Sequence, residues 1–392
     1  MTEKKSVKGY LSYSSIYFFY FFAMAVFGSM LSVYLSGSGK TTGEISLIVS
    51  ASGLFTMIAQ PFIGVLYDRT GWRKRLSVIL LVLSAATGVV FGFTQNTTAL
   101  FALNGLSMAF LNSVNPVCEQ LASSSPYRYG VLRLWGAVGY AVGTQAAGMI
   151  LELGASVLLF VLFAVTSLIT CLSFHLTGLK DAAPVVKSPE KQSKEKAALT
   201  LPLVLFAVFC FFFSGLTGAS GTYVPLLLQE KLGTSLAGTV LFLGTLMEIP
   251  VIFLSDRFMD KLNGKQLLAL NALLLVAQTA AYSFSGSTVL ICAVLILTKS
   301  VTTMLFIMVT LKVVMTLTGG KYATTALSVI ATVKSLGGVV LTNLAGQLAE
   351  NVNLQKMFNV FFWAAATLLA FSFVIRIPAS QKSYFAGENG RL

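Results

Sequence analysis

Arg133, Lys299, Lys334, Glu119 and Glu248 each interrupt a long run of apolar residues. A charge at bilayer depth costs about 2.5–3.5 kcal/mol even on the lenient insertion scale. Such groups persist when they pair with one another or line a polar path. The chemistry open to them is narrow. An arginine keeps its charge at any accessible pH and offers a planar fork of donors that can grip hydroxyls or a carboxylate. A membrane-embedded carboxylate can take up and release a proton when its cationic neighbours change. The set holds three positive and two negative charges spread over both halves of the chain, a balance that suits a neutral polyol or an organic anion. That pattern predicts a solute pathway.

The elements that position these residues follow from composition. The chain has 392 residues, 56% hydrophobic and only 10% charged, with a mean hydropathy of +0.81. A soluble domain carries about 25% charged residues. The apolar runs are long enough to cross about 30 Å of hydrocarbon as helices, whereas a membrane barrel would show alternating segments of about ten residues. The fold class predicted is an all-α membrane protein with twelve transmembrane helices in two pseudo-symmetric six-helix bundles. The spans fall at 11–36, 44–67, 74–94, 97–121, 130–153, 155–177, 201–229, 233–256, 265–284, 287–315, 321–349 and 353–377. The first run has spanning length with no cleavage site after it, so it reads as a span rather than a signal peptide. Residues 1–177 form the first bundle, 178–200 a charged cytoplasmic linker, 201–377 the second bundle and 378–392 a cytoplasmic tail.

Lys and Arg set the orientation. Lys4, Lys5 and Lys8, then Arg69, Arg73, Lys74 and Arg75, then the linker lysines from Lys180 to Lys196, then Arg257, Lys261 and Lys265 all fall on one side of a twelve-span chain. The other side has Lys40, Lys231 and Lys356. The positive-inside rule therefore puts both termini in the cytoplasm. Topology accounts for most of the net charge of +13, so nucleic acid is not an expected partner.

The two halves echo each other. Gln60–Arg69 and Glu248–Arg257 align on Asp68 and Asp256, and Arg133-Leu-Trp-Gly136 aligns with Lys334-Ser-Leu-Gly337. Repeats of this kind are a transporter architecture with the site near the midplane. The stretch Gly64-Val-Leu-Tyr-Asp68-Arg69-Thr-Gly71-Trp-Arg73 resembles the loop between the second and third spans of the major facilitator superfamily. Tyr129–Gly139 and Met247-Glu248-Ile-Pro250 are similar to the proton-symporter branch that includes lactose permease and the phenylpropionate permeases. The resemblance implies a solute site at Glu119, Arg133 and Tyr140, with Tyr140 seven residues beyond Arg133. It implies that Gly64, Asp68, Arg69, Gly71 and Arg73 act in conformational switching. It also matches Lys334 to a lysine of the eleventh span and puts Lys299 where the branch has histidine. Thr302 stands where the branch has a proton-binding glutamate, and no acid lies between Leu201 and Leu228.

Each site residue has a plainer reading. Arg133 and Glu119 can be a structural ion pair across a helical hairpin. The surface carrying Tyr140 also holds Gly136, Gly139, Gly143 and Gly148, which suit close helix packing. Glu248, Lys299 and Lys334 can be a permanently paired trio or the proton-coupling group. Other motifs fail. Gly39-Lys40-Thr41 lacks the earlier glycine of a phosphate loop. A single histidine, His175, and four scattered cysteines, Cys118, Cys171, Cys210 and Cys292, form no metal set and no disulfide framework. With no metal, no cofactor and no nucleophile–base pair expected, the chain reads as a transporter and not an enzyme. The leading function is a secondary-active, proton-coupled symporter for a small polar solute, sugar-like or an organic acid. It would act as a monomer in the bilayer of a cell membrane, the bacterial inner membrane, with protons and one small molecule as its partners. The alternative is a proton-coupled exporter of the same fold.

Overall fold

The computed structural model describes residues 7–125, 127, 129–177, 200–250, 262–318 and 323–378. Nearly all of the expected linker and tail, and the end of the eighth expected span, lie outside the described residues. Every regular element described is a helix: α1 Val7–Gly28, α2 Leu31–Gly37, α3 Thr42–Thr70, α4 Arg73–Gly92, α5 Thr97–Ser124, α6 Tyr129–Glu152, α7 Ser156–Leu176, α8 Leu201–Leu232, α9 Thr234–Leu246, α10 Gly264–Phe284, α11 Thr288–Thr318, α12 Ala323–Asn351 and α13 Leu354–Val374. Hydrocarbon offers no water to an exposed N–H or C=O, so each apolar run closes its own hydrogen bonds. Among the described residues eleven helices are long and apolar enough to cross a membrane, and Thr234–Pro250 is a shorter apolar helix.

Two expected spans differ in detail. The first is broken into α1 and α2 at Ser29 and Met30, just after Gly28. The eighth stops at Leu246, with a turn at Met247 and helix resuming at Glu248. Pro250 supplies no N–H for the Leu246 carbonyl and its ring crowds that oxygen, which ends α9 at that point. Glu248 therefore sits beside irregular backbone inside an apolar segment.

The chain divides into two compact units, Met1–Lys194 with Thr222–Phe242, and Glu195–Gly221 with Leu243–Leu392. In the first unit α1 packs along α6 and α7, α3 along α5, and α4 against α5 and α7. Gly139 lets α6 lie directly on the α1 backbone, because a Cβ there would run into the Phe18 carbonyl. In the second unit α10 packs on α11 and α13. Gly337 of α12 plays the same part against the Phe211 carbonyl of α8. Small residues do this work in membranes because lipid tails are as apolar as leucine, so close packing drives association.

The first unit also holds the C-terminal part of α8, from Thr222, and the start of α9. Gly148 and Gly238 meet almost backbone to backbone. Tyr223 donates its hydroxyl to the Thr42 carbonyl at 3.0 Å, and the Ser235 N–H at the start of α9 donates to Glu152 Oε2 at 2.7 Å. Thr41 caps α3 in a capping box with Glu44. Gly39-Lys40-Thr41 is thus a helix start, with Lys40 Nζ donating to the Gln95 carbonyl at 2.7 Å.

Candidate functional site

Glu119 and Arg133 come together across the α5–α6 hairpin, where Arg133 Nη1 donates to Glu119 Oε1. Pro116 lies one turn before Glu119 and withholds the N–H that the Asn112 carbonyl would accept. Gln60 Nε2 of α3 donates to that freed carbonyl at 3.2 Å, so the proline break is satisfied by a neighbouring helix. Tyr17 of α1 donates its hydroxyl toward Glu119 Oε2 at 3.2 Å and the Cys118 carbonyl at 3.1 Å. The Arg133 guanidinium lies 5.5 Å from the centre of the Phe21 ring, and Phe21 stacks with Tyr17. The Arg133 and Glu119 side chains keep 25% and 30% of their exposure, so the pair is neither sealed nor fully solvated. Only Nη1 is committed to a protein acceptor among the described residues, which leaves guanidinium donors for a hydroxylated or anionic solute. Tyr140 is half-buried two turns further along α6.

Tyr17 and Phe21 are site residues that sequence reasoning passed over. Their signal was present in the aromatic spacing Tyr13, Tyr17, Phe21 on one helix face.

The second unit separates the trio Glu248, Lys299 and Lys334. Lys299 of α11 and Glu248 interact electrostatically. Lys334 of α12 instead points its ammonium at the Phe306 ring, 4.1 Å from the centroid, with the Cys210 thiol also within electrostatic reach. Phe306 packs on Phe213 at 4.1 Å between centroids, and Phe213 stacks on Phe209. A desolvated cation–π contact is worth about 2 kcal/mol. That is less than the roughly 2.5–3.5 kcal/mol cost of a charge at bilayer depth, so the ring does not fully compensate the lysine.

Two buried amides of α10 hold α11 beside this ring. Gln278 Nε2 donates to Thr302 Oγ1 at 2.7 Å. With its amide turned to the orientation that satisfies both ends, Asn271 donates to the Thr302 carbonyl at 3.0 Å and accepts from the Phe306 N–H at 3.1 Å. Those two backbone groups are the acceptor and donor of a single i→i−4 rung of the helix, so Asn271 is stitched into the turn that carries Phe306. Thr302, which replaces an expected acid, thus serves as a hydrogen-bonding post. Lys312 is a further intramembrane charge that sequence reasoning missed. It is 3% exposed and donates to the Leu262 carbonyl at 2.9 Å.

The loop residues of the superfamily resemblance form a tight joint. Gly71 closes α3 in the left-handed region at φ 67°, and its N–H donates to the Tyr67 carbonyl. Arg73 N–H donates to the Gly71 carbonyl at 2.8 Å and begins α4. Only glycine adopts that conformation without strain. Arg75 lies over the Trp72 ring at 5.8 Å, and Arg69 is exposed in the last turn of α3. Gly64 has open space where a Cβ would stand. Asp68 belongs to α3, and its side chain lies outside the described residues.

Charges held inside apolar helices that span a bilayer define a multi-pass membrane transporter. A family model described as the MFS_1 like family matches residues 10–360, and the chain belongs to that family, within the major facilitator superfamily. The chain is 30% identical to a maltose permease of Geobacillus stearothermophilus over 276 residues, 68% of this chain and 69% of that one. It is 23% identical to a lactose permease of Citrobacter freundii over 269 residues, 62% and 64% of the two chains. Its fold is similar to that of the nucleoside transporter NupG in a point-mutant form, with a TM-score of 0.79 at 14% identity, covering 93% of this chain and 99% of that one. The protein is a secondary transporter of small solutes and not an enzyme.

Proposed function

We propose that this chain is a proton-coupled symporter that carries a sugar-sized, hydroxyl-rich solute into the cell by alternating access. The Arg133–Glu119 pair carries the reading. It is half-buried, faced by Tyr17 and Phe21, and leaves guanidinium donors unspent among the described residues. An aromatic face beside charge-assisted donors suits a pyranose, whose rings present apolar C–H faces and hydroxyl edges. The similarity to a maltose permease and a lactose permease supports the same chemistry. Tyr140 extends the site along α6. Glu248, set beside a helix break and coupled to Lys299, is the proton-linked carboxylate. Residues 1–177 and 201–377 act as the two rocking bundles, with the Gly64–Arg73 segment controlling the switch. The protein works as a monomer in the bacterial inner membrane with both termini cytoplasmic.

Proteoliposomes test this. An inward-directed proton gradient should drive uphill accumulation of one member of a panel of maltose, lactose, glucose, glucuronate and glucose 6-phosphate, and a protonophore should abolish it. Extrusion against the solute gradient under the same conditions would make the chain an exporter. Accumulation indifferent to the proton gradient would remove proton coupling.

A further inference from the structure

Among the described helices of the second unit, lysines within the apolar runs outnumber the acids. Residues 201–221, α10, α11 and α13 contain no Asp or Glu, and the sole acid of α12 is Glu350 in its last turn. Glu248 lies within electrostatic reach of Lys299. Lys312 is turned to the Leu262 carbonyl. Lys334 is different. It lies near the middle of α12, and among the described residues it has no carboxylate partner. Its compensation is the face of Phe306.

The ring beneath it is built in. Phe306 is 5% exposed and braced by Phe213 and Phe209. Asn271, fully buried, bonds the backbone on both sides of that turn. The ring is anchored, and the ammonium is held above it rather than paired with a carboxylate of the described residues. A cation with an aromatic floor and no carboxylate partner among the described residues is stabilised by an anion that reaches it, since a charge-assisted hydrogen bond supplies what the ring quadrupole cannot.

We propose that the transported solute carries an anionic group, a carboxylate or a phosphate ester, which binds the Lys334 ammonium while the Phe306 ring fixes the ammonium's position. This rests on the reading of the chain as a carrier of sugar-sized solutes, and narrows that class to acidic members such as uronates, aldonates or sugar phosphates. Lys334 is then a specificity-determining residue, and the solute's charge completes the lysine's environment during each turnover.

The test is equilibrium binding to the purified full-length protein, read by ligand-dependent thermal stabilisation and scintillation counting. Glucuronate, lactobionate and glucose 6-phosphate are compared with neutral glucose and maltose. At least one anionic probe should bind about tenfold or more tightly than its neutral counterpart, about 1.4 kcal/mol. Lys334→Met should reduce that probe to the neutral level, and Lys334→Arg should keep the preference. Lys334→Gln serves the same purpose if the Met variant does not fold. Binding of the carboxylates alone identifies a carboxylate solute, and binding of glucose 6-phosphate alone a phosphate ester. Equal binding of neutral and anionic probes, or a preference that survives Lys334→Met, overturns the inference while leaving the carrier reading intact. No binding by any probe overturns both.

Discussion

Arg133→Lys separates a solute-gripping arginine from a structural one. The replacement keeps the positive charge, so the Glu119 carboxylate is not left unpaired and the intramembrane charge balance is unchanged. The fork is lost. A lysine ammonium can answer Glu119 but has no planar second edge to offer a solute. The interaction at stake is a hydrogen bond to a charged group, worth about 1.5–3 kcal/mol. The side chain keeps 25% of its exposure, so water can replace part of that bond and the low end applies. A loss of about 1.5–2 kcal/mol corresponds to a rise of roughly ten- to thirtyfold in the dissociation constant. The cation–π contact to Phe21 survives in weaker form, since an ammonium cannot stack as a planar guanidinium does. The assay is counterflow and equilibrium binding of the accumulated sugar in proteoliposomes, with size-exclusion chromatography to show that the variant is folded. Binding within twofold of wild type would refute the reasoning and leave Arg133 as no more than the structural partner of Glu119.

Glu248→Gln should abolish proton-driven accumulation yet retain solute exchange, because exchange need not release the proton; accumulation at the wild-type ratio would move coupling to another group, with Glu119 next. Gly139→Val should lower the thermal midpoint by several degrees, since its side chain would overlap the Phe18 carbonyl, at a cost of about 1–3 kcal/mol for overpacking. Gly64→Ala, where a Cβ meets nothing within 4 Å, should leave the midpoint unchanged, and a fall as large as that of Gly139→Val would contradict the packing argument. Single cysteines introduced at Lys191 and Lys382 should react with an impermeant maleimide only from the cytoplasmic face; labelling from outside would reverse the topology.

The helices were legible because their cause is local. A bilayer sets a minimum apolar length, and the backbone inside it must bond to itself. The predicted span 74–94 is α4, Arg73–Gly92, and the predicted span 265–284 is α10, Gly264–Phe284. The family was legible from the Gly64–Arg73 loop and from the paired echoes between the halves. The Arg133–Glu119 pair was one of two open readings of a hairpin whose connection is short, and short connections leave few alternatives.

The other partners depended on how each helix is rotated against its neighbours. Lipid-facing and protein-facing surfaces are both apolar, so hydropathy does not mark the inner side of a spanning helix. That is why Glu248, Lys299 and Lys334 read as one group along the chain, whereas packing leaves Lys299 within electrostatic reach of Glu248 and sets Lys334 over Phe306. It is also why the rings of Tyr17 and Phe21, the Gln60 amide on the carbonyl freed by Pro116, and Asn271 in the α11 ladder emerged only once the helices stood together. Composition and spacing specify which residues must leave water; interhelical contact specifies what each buried charge meets there.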